Sequence, residues 1–599
     1  MTSKDVASVL SDYENSIQRS LVYLIFLSII LTICIYAMFC GSESEHGNKG
    51  LEWFGAYATS VERGALITSI IPNSPAQKSG LMAGDIIVYV DREKINDAGS
   101  LKKDIINKKP NQRFNITVIR NGRWEVLSVR YGNNNPMVQA GNVYARGNYT
   151  RVIDNKNIAV VLIIFIIVFL AIFLELTDRA VIVGAGALAA IIMGTFLGFY
   201  DQSEAFSSIN LGTLSLLLGM GLISLVLQEA GLFDYLSKRI IIATEGDGWK
   251  LMVFFCLTTY VFSCFVNNLT TILIIAPITL NLANELKFDP KPFVISEIIS
   301  SNLGGASSMI GDFPNMLISS ETGLLFHDFI FYMMPICLIL LFVLLIYIKV
   351  TKGSFFAQDS NGLNHSEVIK MFEKINFELP KAIKNKTAVT RGLIILGIII
   401  IVFIFSDKLG LPPAAIALTG GFTLLLISDV EATSVIKKFG FKDIIFFSGL
   451  FVLVGSVDAS GFLDYLSGIL TRLSGNNILA QCIILMWLVG ILTSFLNAGP
   501  ATMLFIPVIF SFGMISQHNI YWWSLSLGVL AGSSSLITGA TAGQVASTII
   551  EDYLMKNRKN HRVKFTDFLT FKEYAEVGVP IMFIFLLISS VYITLLYYI

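Results

Sequence analysis

The chain has 599 residues, of which 54% are hydrophobic and only 14% are charged, and its formal net charge is zero. A soluble domain is about a quarter charged, so the composition excludes an ordinary soluble protein, and the balanced charge gives no indication of nucleic acid binding. Apolar runs long enough to cross about 30 Å of hydrocarbon recur along the chain. They lie at 21–39, 158–174, 329–348 and 579–599. We therefore predict a polytopic membrane protein in contact with lipid.

The chain begins with a predicted cytoplasmic N-terminus at 1–20, followed by a transmembrane anchor at 21–40. Residues 48–131 then carry frequent charges and strand-like alternation. Segments 65–71, 85–90, 115–120 and 123–130 are predicted strands, and the last two flank Asn121-Gly122, a strong signal for a two-residue hairpin. A helix capped by Ser100 is predicted at 100–108. These features predict a small β-rich domain.

The segment ITSIIPNSPAQKSGLMAGDIIVYVDREKI, at 67–95, resembles PDZ domains of the bacterial periplasmic-protease type. The resemblance covers 48–131 and implies peptide capture, in which an extended segment pairs with an open strand edge and backbone amides hold its carboxylate. The peptide-binding residues that the resemblance implies are Trp53, Phe54, Gly55 and Ala56, followed by a strand at 57–60. The alternative is a domain that only packs against the membrane part, because a sheet edge can be covered rather than used.

Two further segments are predicted linkers: an Asn-, Gly- and Tyr-rich one at 132–156 and a basic cytoplasmic one at 350–391. The second linker divides the membrane part into repeat 1 at 157–349 and repeat 2 at 392–599. The sequence LGMGLISLVLQEAGLFDYL of the first repeat aligns with SGLFVLVGSVDASGFLDYL of the second at an offset of 230 residues.

The basic loops indicate the orientation of the repeats. Placing every basic loop in the cytoplasm puts the β-rich domain outside the cell membrane and makes the two repeats inverted. Inverted repeats place a substrate site near the bilayer midplane. We therefore predict an all-α polytopic protein of two inverted repeats with re-entrant hairpins, plus the extracytoplasmic β-rich domain, most compatible with a bacterial inner membrane and a periplasmic PDZ domain.

The segment VNNLTTILIIAP, at 266–277, places amides and hydroxyls in an apolar run that ends in proline, and the offset pairs it with LNAGPATMLFIP at 496–507. Irregular backbone at membrane depth is tolerated only where it is buried in protein or lines a wet cavity. The pattern predicts a broken helix or hairpin tip that holds an ion, whereas an isolated Asn would be a helix–helix contact. The candidate ion- or substrate-binding residues are Asn267, Asn268, Thr270, Thr271, Asn302, Gly304, Gly305, Asp312, Asn315, Asn497, Thr502, Ser533 and Ser534.

The membrane part, across 157–597, resembles the ion transporter superfamily. Its branch of NhaD-type sodium/proton antiporters, arsenite permeases and the P protein carries LDNVTTVLLLVPVT and EVFASNIGGTATLIGDPPN. These motifs are similar to VNNLTTILIIAPIT at 266–279 and to the segment at 289–318. The resemblance implies two re-entrant hairpins, a site between them and alternating access by an elevator-like or rocking movement.

The chain departs from that branch at charged positions. Asn267-Asn268 replaces the family's Asp-Asn, and Ala542-Gly543 replaces its Ala-Asn. Because cation sites and proton relays usually depend on intramembrane carboxylates, Glu297 and Asp312 are the remaining coupling candidates. Asp312 could instead cap a turn, and Glu297 could be an interfacial group near a helix start.

The sequence therefore favours a secondary active transporter of a small inorganic ion, coupled to protons or sodium, whose PDZ domain binds a peptide or protein partner. The alternatives are a permease for an anion such as arsenite or a carboxylate, and a sensor or scaffold that has lost transport. No His-Glu-x-x-His motif or serine-nucleophile motif is present. We predict no enzyme activity, catalytic residue, metal or cofactor, and a homodimer is an expectation from the superfamily.

Overall fold

The computed structural model describes residues 56–61, 64–70, 76, 79–91, 93–95, 101, 113–120, 123–130, 155–174, 176–244, 247–286, 289–359, 379, 382–475, 477–512, 519–557 and 569–598. The predicted N-terminus and anchor lie outside these residues. So do Trp53, Phe54 and Gly55, most of the helix predicted at 100–108, most of the linker predicted at 132–156 and half of the linker predicted at 350–391.

The β-rich domain is one antiparallel sheet. Its strands are β1 (Ala56–Val61), β2 (Gly64–Ile70), β3 (Ile86–Val90), β4 (Glu93–Lys94), β5 (Arg113–Arg120) and β6 (Arg123–Arg130). The strand order is β1-β2-β3-β5-β6, with β4 paired to β3. β5 and β6 pair in register up to Arg120 opposite Arg123, which confirms the two-residue hairpin predicted from Asn121-Gly122.

One buried ion pair holds the start of β3 to the end of β5. The Asp85 carboxylate is 1% exposed and accepts hydrogen bonds from Arg120 Nε at 2.7 Å and Nη2 at 2.6 Å. The backbone N–H of Met82 donates to the same carboxylate at 2.8 Å. Ile87 of β3 and Val118 of β5 are fully buried. The Asp85–Arg120 ion pair therefore closes one end of an apolar core.

The rest of the described chain is helical. The helices of repeat 1 are α1 (Asn155–Phe173), α2 (Arg179–Leu197), α3 (Gln202–Ser207), α4 (Leu211–Glu229), α5 (Leu232–Thr244), α6 (Gly248–Ser263), α7 (Asn268–Leu286), α8 (Lys291–Ala306), α9 (Phe313–Thr322), α10 (Phe326–Tyr332) and α11 (Met334–Asp359). The helices of repeat 2 are α12 (Lys386–Ile404), α13 (Ser406–Leu409), α14 (Pro413–Ile427), α15 (Ala432–Lys438), α16 (Phe441–Ala459), α17 (Phe462–Ser474), α18 (Ile478–Leu496), α19 (Ala498–Ser511), α20 (Ile520–Ser533), α21 (Thr541–Asn557) and α22 (Phe571–Tyr598).

Seven of the described helices are long and apolar enough to cross a membrane, and α15 with α16 forms an eighth if this pair, bent by 44°, is one span. Together with the small sheet, these helices confirm the predicted fold class. Helices extend a few residues into both predicted linkers, because α1 begins at Asn155, α11 continues to Asp359 and α12 begins at Lys386.

The two repeats follow the same order of elements. α4 and α16 are both 19 residues long and begin 230 positions apart, as do α5 and α17, α6 and α18, and α7 and α19. Each repeat then has a helix interrupted by a short non-helical break, α8–α9 in repeat 1 and α20–α21 in repeat 2. The offset read from the sequence is therefore also the offset between equivalent helices.

The described residues pack as two compact units. One comprises the described residues of 1–208, 452–469 and 507–515, and the other comprises the described residues of 209–451, 470–506 and 516–599. Every residue predicted as an ion site or coupling group belongs to the second unit, so the site described below lies within one unit.

Candidate ion-binding site

The first hairpin consists of α6, residues 264–267 and α7. α6 has 16 residues, so it is about 24 Å long, which is shorter than the roughly 30 Å of a bilayer core. The Asn267 Oδ1 atom accepts a hydrogen bond from the Thr270 backbone N–H at 2.8 Å and so caps α7. The Thr271 hydroxyl donates to the Val266 carbonyl at 3.5 Å. These candidate residues therefore shape the tip of the hairpin.

The first broken helix consists of α8, residues 307–312 and α9. Asp312 caps α9, because its Oδ1 accepts from the Phe313 N–H at 2.9 Å, which is the turn role that the sequence left open for it. The Ser308 hydroxyl donates to the Cys264 carbonyl at 2.5 Å, and the Gly311 N–H donates to the Ser308 hydroxyl at 3.0 Å. The break is thereby fixed to the tip of the first hairpin.

A chain of amide hydrogen bonds joins the hairpin to the broken helix. The Ser263 hydroxyl donates to Asn268 Oδ1 at 2.5 Å, and Asn268 Nδ2 donates to Asn302 Oδ1 at 3.3 Å. Asn302 Nδ2 then donates to the Ser533 carbonyl of α20 at 3.0 Å. Asn268 is 6% exposed and Asn302 is 2% exposed, and the Asp312 side chain lies beside Asn268. This set, Asn268, Asn302 and Asp312 with Ser263, is called the amide cluster below.

The two neighbouring glycines of α8 serve different purposes. A Cβ atom on Gly305 would overlap Asn268 Oδ1 and would lie 3.0 Å from the Asp312 Cβ. A Cβ atom on Gly304 would overlap the Tyr260 carbonyl of α6 and would lie 2.9 Å from the Ser263 Cβ on the same helix. Gly305 therefore makes room for the amide cluster, whereas Gly304 permits close packing of α8 on α6.

Asn315 holds the break in the helix. Its Nδ2 donates to the carbonyls of Ala306 and Ser308, each at 2.9 Å, and its Oδ1 accepts from the Ser526 hydroxyl at 2.8 Å. The freed carbonyls of a helix break need such partners at membrane depth. Both N–H groups of the Asn315 amide are thus engaged by the helix break, so this side chain stabilises the break beside the amide cluster.

Repeat 2 has the same backbone arrangement with fewer polar side chains. Asn497 joins α18 to α19 with a positive φ of 71°, and its Nδ2 donates to the Thr538 carbonyl at 3.4 Å. Ala498 stands where the 230-residue offset places Asn268 in repeat 1. An apolar methyl group therefore replaces the central amide of the cluster.

Three hydroxyl groups predicted for the site are bonded within their own helices. The Thr502 hydroxyl donates to the Ala498 carbonyl at 2.8 Å. The hydroxyls of Ser533 and Ser534 donate to the Leu530 carbonyl at 3.0 and 2.9 Å. Ser533 still contributes to the cluster, but it does so through its backbone carbonyl.

Glu297 lies on α8 away from the amide cluster and is fully buried. The Thr279 hydroxyl of α7 donates to its Oε1 at 2.5 Å, and its Oε2 has no hydrogen-bond partner among the described residues. Five residues separate Glu297 from Asn302, which is about 7.5 Å along a helix.

The sequence reasoning missed Ser263, Ser526 and the carbonyl of Ser533 as participants. Ser263 directly precedes the predicted hairpin tip at the end of α6, and its local sequence carries no feature of an ion ligand. Ser526 and Ser533 lie more than 200 positions from their partners, and such long-range contacts are not encoded in local patterns.

Comparison with known proteins identifies the class of the membrane part. The family described as citrate transporter matches residues 160–528, and the PDZ domain family matches residues 53–130. The chain belongs to this citrate transporter family. The match confirms the predicted ion transporter superfamily with a PDZ domain, and it shows that the chain is a multi-pass membrane transporter.

Three relatives illustrate the range of similarity. The magnetosome protein MamN of Paramagnetospirillum magneticum (strain AMB-1) is 33% identical over 445 residues, which cover 73% of this chain and 98% of that protein. The uncharacterized transporter Rv2685 of Mycobacterium tuberculosis (strain H37Rv) is 26% identical over 71% of this chain and 93% of its own length. The P protein of Sus scrofa is 24% identical over 74% of this chain and 60% of its own length.

Proposed function

We propose that this membrane transporter is a secondary active transporter that moves a small inorganic cation by alternating access, coupled to protons or sodium. The cation binds at the amide cluster of repeat 1. The observation that carries the proposal is the juxtaposition of two buried amides, a hydroxyl and one carboxylate at the contact between the first hairpin and the first broken helix.

The chemistry of the cluster favours a cation. Carboxylate, amide and carbonyl oxygens are the ligands that hard cations prefer, and each amide oxygen retains a lone pair beyond its present hydrogen bond. Among the described residues no Lys, Arg or His forms an ion pair with Asp312. A carboxylate without a counter-ion at membrane depth is expensive and marks functional sites, so a bound cation would stabilise it.

The backbone around the cluster favours alternating access. Interrupted helices near the bilayer midplane, in two repeats of one design, are typical of secondary transporters. Here the hairpin tip and the helix break hold each other through Ser308, and Asn302 connects them to α20. An ion at this junction would contact elements from both repeats.

The PDZ domain supports a second, peptide-binding role in the same chain. In the described part of the sheet, β1 stands at the end of the strand order with β2 as its partner, and Ala56 is its first residue. An open edge of this kind is where an extended peptide adds a strand. The distribution of basic loops favours the periplasmic side of a bacterial inner membrane for this domain, and there a peptide would gate transport or recruit a partner.

A second candidate function is an anion permease. The hairpin tip of repeat 2 is uncharged. Four helices begin at a hairpin tip or a helix break, namely α7, α9, α19 and α21, and helix N-termini attract anions. The family description of citrate transport agrees with this candidate. The Asp312 carboxylate opposes it, because an anion next to an unpaired carboxylate is repelled.

The test is flux in proteoliposomes that contain a pH-sensitive dye, with steps of sodium, lithium, arsenite and citrate. The decisive variant is Asn302→Ala, and Ser533→Ala is its matched control. Asn302→Ala removes the amide that links Asn268 to α20, whereas Ser533→Ala leaves the accepting carbonyl in place. We expect a cation-dependent proton signal that Asn302→Ala weakens and Ser533→Ala retains.

Other outcomes would identify the alternatives. Uptake of citrate or arsenite without a cation-dependent signal would contradict the cation transporter and establish the permease. Silence with every ion, in protein shown to be folded, would contradict transport and leave a sensor or scaffold. For the peptide-binding role, deletion of 48–131 with unchanged flux and unchanged partners would refute gating and recruitment.

A further inference from the structure

The surroundings of Glu297 differ from those of the amide cluster. Glu297 is fully buried, and its carboxyl group has one hydrogen-bond partner, the Thr279 hydroxyl. Its Oε2 atom has none among the described residues. One turn further along α8, the Ser300 hydroxyl has no partner except the weak one that the Cys256 thiol offers. The pocket around Glu297 is thus polar but incompletely satisfied.

No positive charge faces Glu297 in the described part of the chain. α8 packs against α6, α7, α11, α20, α21 and α22, and of the titratable groups on those helices the Cys256 thiol is the one in electrostatic contact with Glu297. Several other titratable groups on those helices interact elsewhere: Tyr260 with Ser307, Cys337 with Ser307, Tyr521 with Gln481 and Lys291 with Glu573. The buried Tyr574 hydroxyl has no hydrogen-bond partner among the described residues.

An ionised carboxylate in such a place is costly. Burial of a charged group without a counter-ion is strongly unfavourable, because the group loses its hydration and gains no compensating charge. A metal cation would need several oxygen ligands from the protein or water, whereas in the described part of the chain the Glu297 carboxyl group is hydrogen-bonded to the Thr279 hydroxyl alone. A proton needs one carboxyl oxygen. The site therefore suits a proton better than a sodium ion.

We propose that Glu297 is the proton-binding group of the transport cycle, separate from the cation site at the amide cluster. In this step Oε1 or Oε2 takes up one proton from water on one side of the membrane, the carboxylate becomes a neutral acid, and the same proton later leaves to water on the other side. No other bond forms or breaks. The inference rests on the proposed function, because it assigns the coupling ion of that transporter.

The geometry also provides a route from proton to cation. Glu297 and Asn302 lie on the same helix, about 7.5 Å apart along its axis. Thr279 lies on α7, whose first residue is Asn268. A change at the Thr279–Glu297 hydrogen bond therefore acts on both elements that form the amide cluster. Glu297 is a positioning and coupling residue in this scheme and does not contact the transported cation.

The first experiment compares Glu297→Gln with Glu321→Gln in the full chain. Gln keeps the shape of the side chain but cannot titrate. Glu321 is a suitable control because it lies at the end of α9 and accepts a hydrogen bond from Asn210 at 2.7 Å, which Gln can also accept. We expect Glu297→Gln to lose the proton signal and to make exchange of the labelled cation independent of pH, while Glu321→Gln behaves as the native chain does. A pH-dependent, proton-coupled Glu297→Gln variant would overturn the proposal.

A second measurement does not depend on transport. Infrared difference spectra of the protein in lipid vesicles, recorded between buffers of different pH, detect the carbonyl stretch of a protonated carboxyl group. We expect a titrating band that is absent in Glu297→Gln and shifted in Thr279→Val. If the native chain carries no ion but this band titrates, the proposed function fails and the proton site stands. If the band is unchanged in Glu297→Gln, the proton site is refuted whatever the flux assay shows.

Discussion

The substitution Gly305→Ala tests the amide cluster without changing any polar group. The added Cβ would overlap Asn268 Oδ1, and it would lie 3.1 Å from Asn268 Cγ and 3.0 Å from the Asp312 Cβ. The nearest atom is the end of the Asn268 side chain, so the helix itself can remain in place while the Asn268 amide turns away. That rotation breaks the hydrogen bonds of Asn268 with Ser263 and Asn302.

The size of the effect follows from those two hydrogen bonds. Each buried hydrogen bond contributes about 0.5–1.5 kcal/mol net, and measured interhelical bonds in membrane proteins average about 0.6 kcal/mol. The loss is therefore about 1–3 kcal/mol in cation binding, and since about 1.4 kcal/mol is a tenfold change in Kd, we expect binding to weaken by roughly 5- to 150-fold.

The assay is the cation concentration that gives half-maximal flux in proteoliposomes. Gly397→Ala on α12 is the matched control, because a Cβ there meets no heavy atom within 4 Å and Ala favours a helix over Gly by about 1 kcal/mol. The double variant Asn268→Ala with Gly305→Ala isolates the clash, since a chain that already lacks the amide should lose little more. Native affinity in Gly305→Ala, or full additivity in the double variant, would refute the assignment.

Three further changes test the packing around the site and the PDZ domain. Gly304→Ala places a Cβ against the Tyr260 carbonyl and 2.9 Å from the Ser263 Cβ, so we expect about 1–3 kcal/mol lower stability in thermal unfolding. Native stability would contradict its packing role. Arg120→Met leaves the buried Asp85 charge without its counter-ion, which should lower the stability of the PDZ domain by about 3–5 kcal/mol and make it sensitive to protease. Protease resistance equal to that of the native chain would contradict this role of the ion pair. Lys291→Met should change stability by less than about 1 kcal/mol. Its partner Glu573 is 39% exposed and keeps hydrogen bonds to its own helix start. A larger loss in thermal unfolding would show that the ion pair is effectively buried.

The local patterns of the sequence predicted the irregular backbone correctly. Amides and hydroxyls lie in an apolar run that ends at Pro277, and the pattern recurs at an offset of 230 residues. This pattern alone indicates hairpins and broken helices. The backbone at membrane depth has few alternatives, so a local pattern suffices there. The same reasoning identified the strands of the PDZ domain, because turn residues and alternation fix short hairpins.

The roles of individual side chains were harder to predict, because they depend on distant partners. Thr502 and Ser533 read like ion ligands, yet a hydroxyl inside a helix often bonds the carbonyl one turn earlier, as both do. Asn315 and Asn302 both lie in the segment 289–318 that resembles the family motif, but Asn315 donates to the freed carbonyls of the break. Which amide faces the site and which faces the backbone is decided by tertiary packing.

The two repeats separate the requirements of movement from those of binding. In repeat 1 a Cβ on Gly304 would overlap the first arm of its own hairpin, and in repeat 2 a Cβ on Gly532 would do the same. Both repeats therefore keep the close packing that an interrupted helix needs beside a hairpin. The amide at the centre of the cluster is kept in repeat 1 as Asn268 and replaced in repeat 2 by Ala498.

This difference bears on stoichiometry. If each hairpin held its own cation, both tips would need oxygen ligands from side chains, and Ala498 supplies none. This chain preserves the packing of both hairpins but has the central amide, Asn268, in repeat 1 alone. It is therefore better suited to a single cation per cycle. For a monovalent cation, exchange of one cation for one proton at Glu297 would then move no net charge, so the flux should be insensitive to membrane voltage. A flux that rises or falls steeply with voltage, at fixed cation and proton gradients, would contradict this one-for-one scheme.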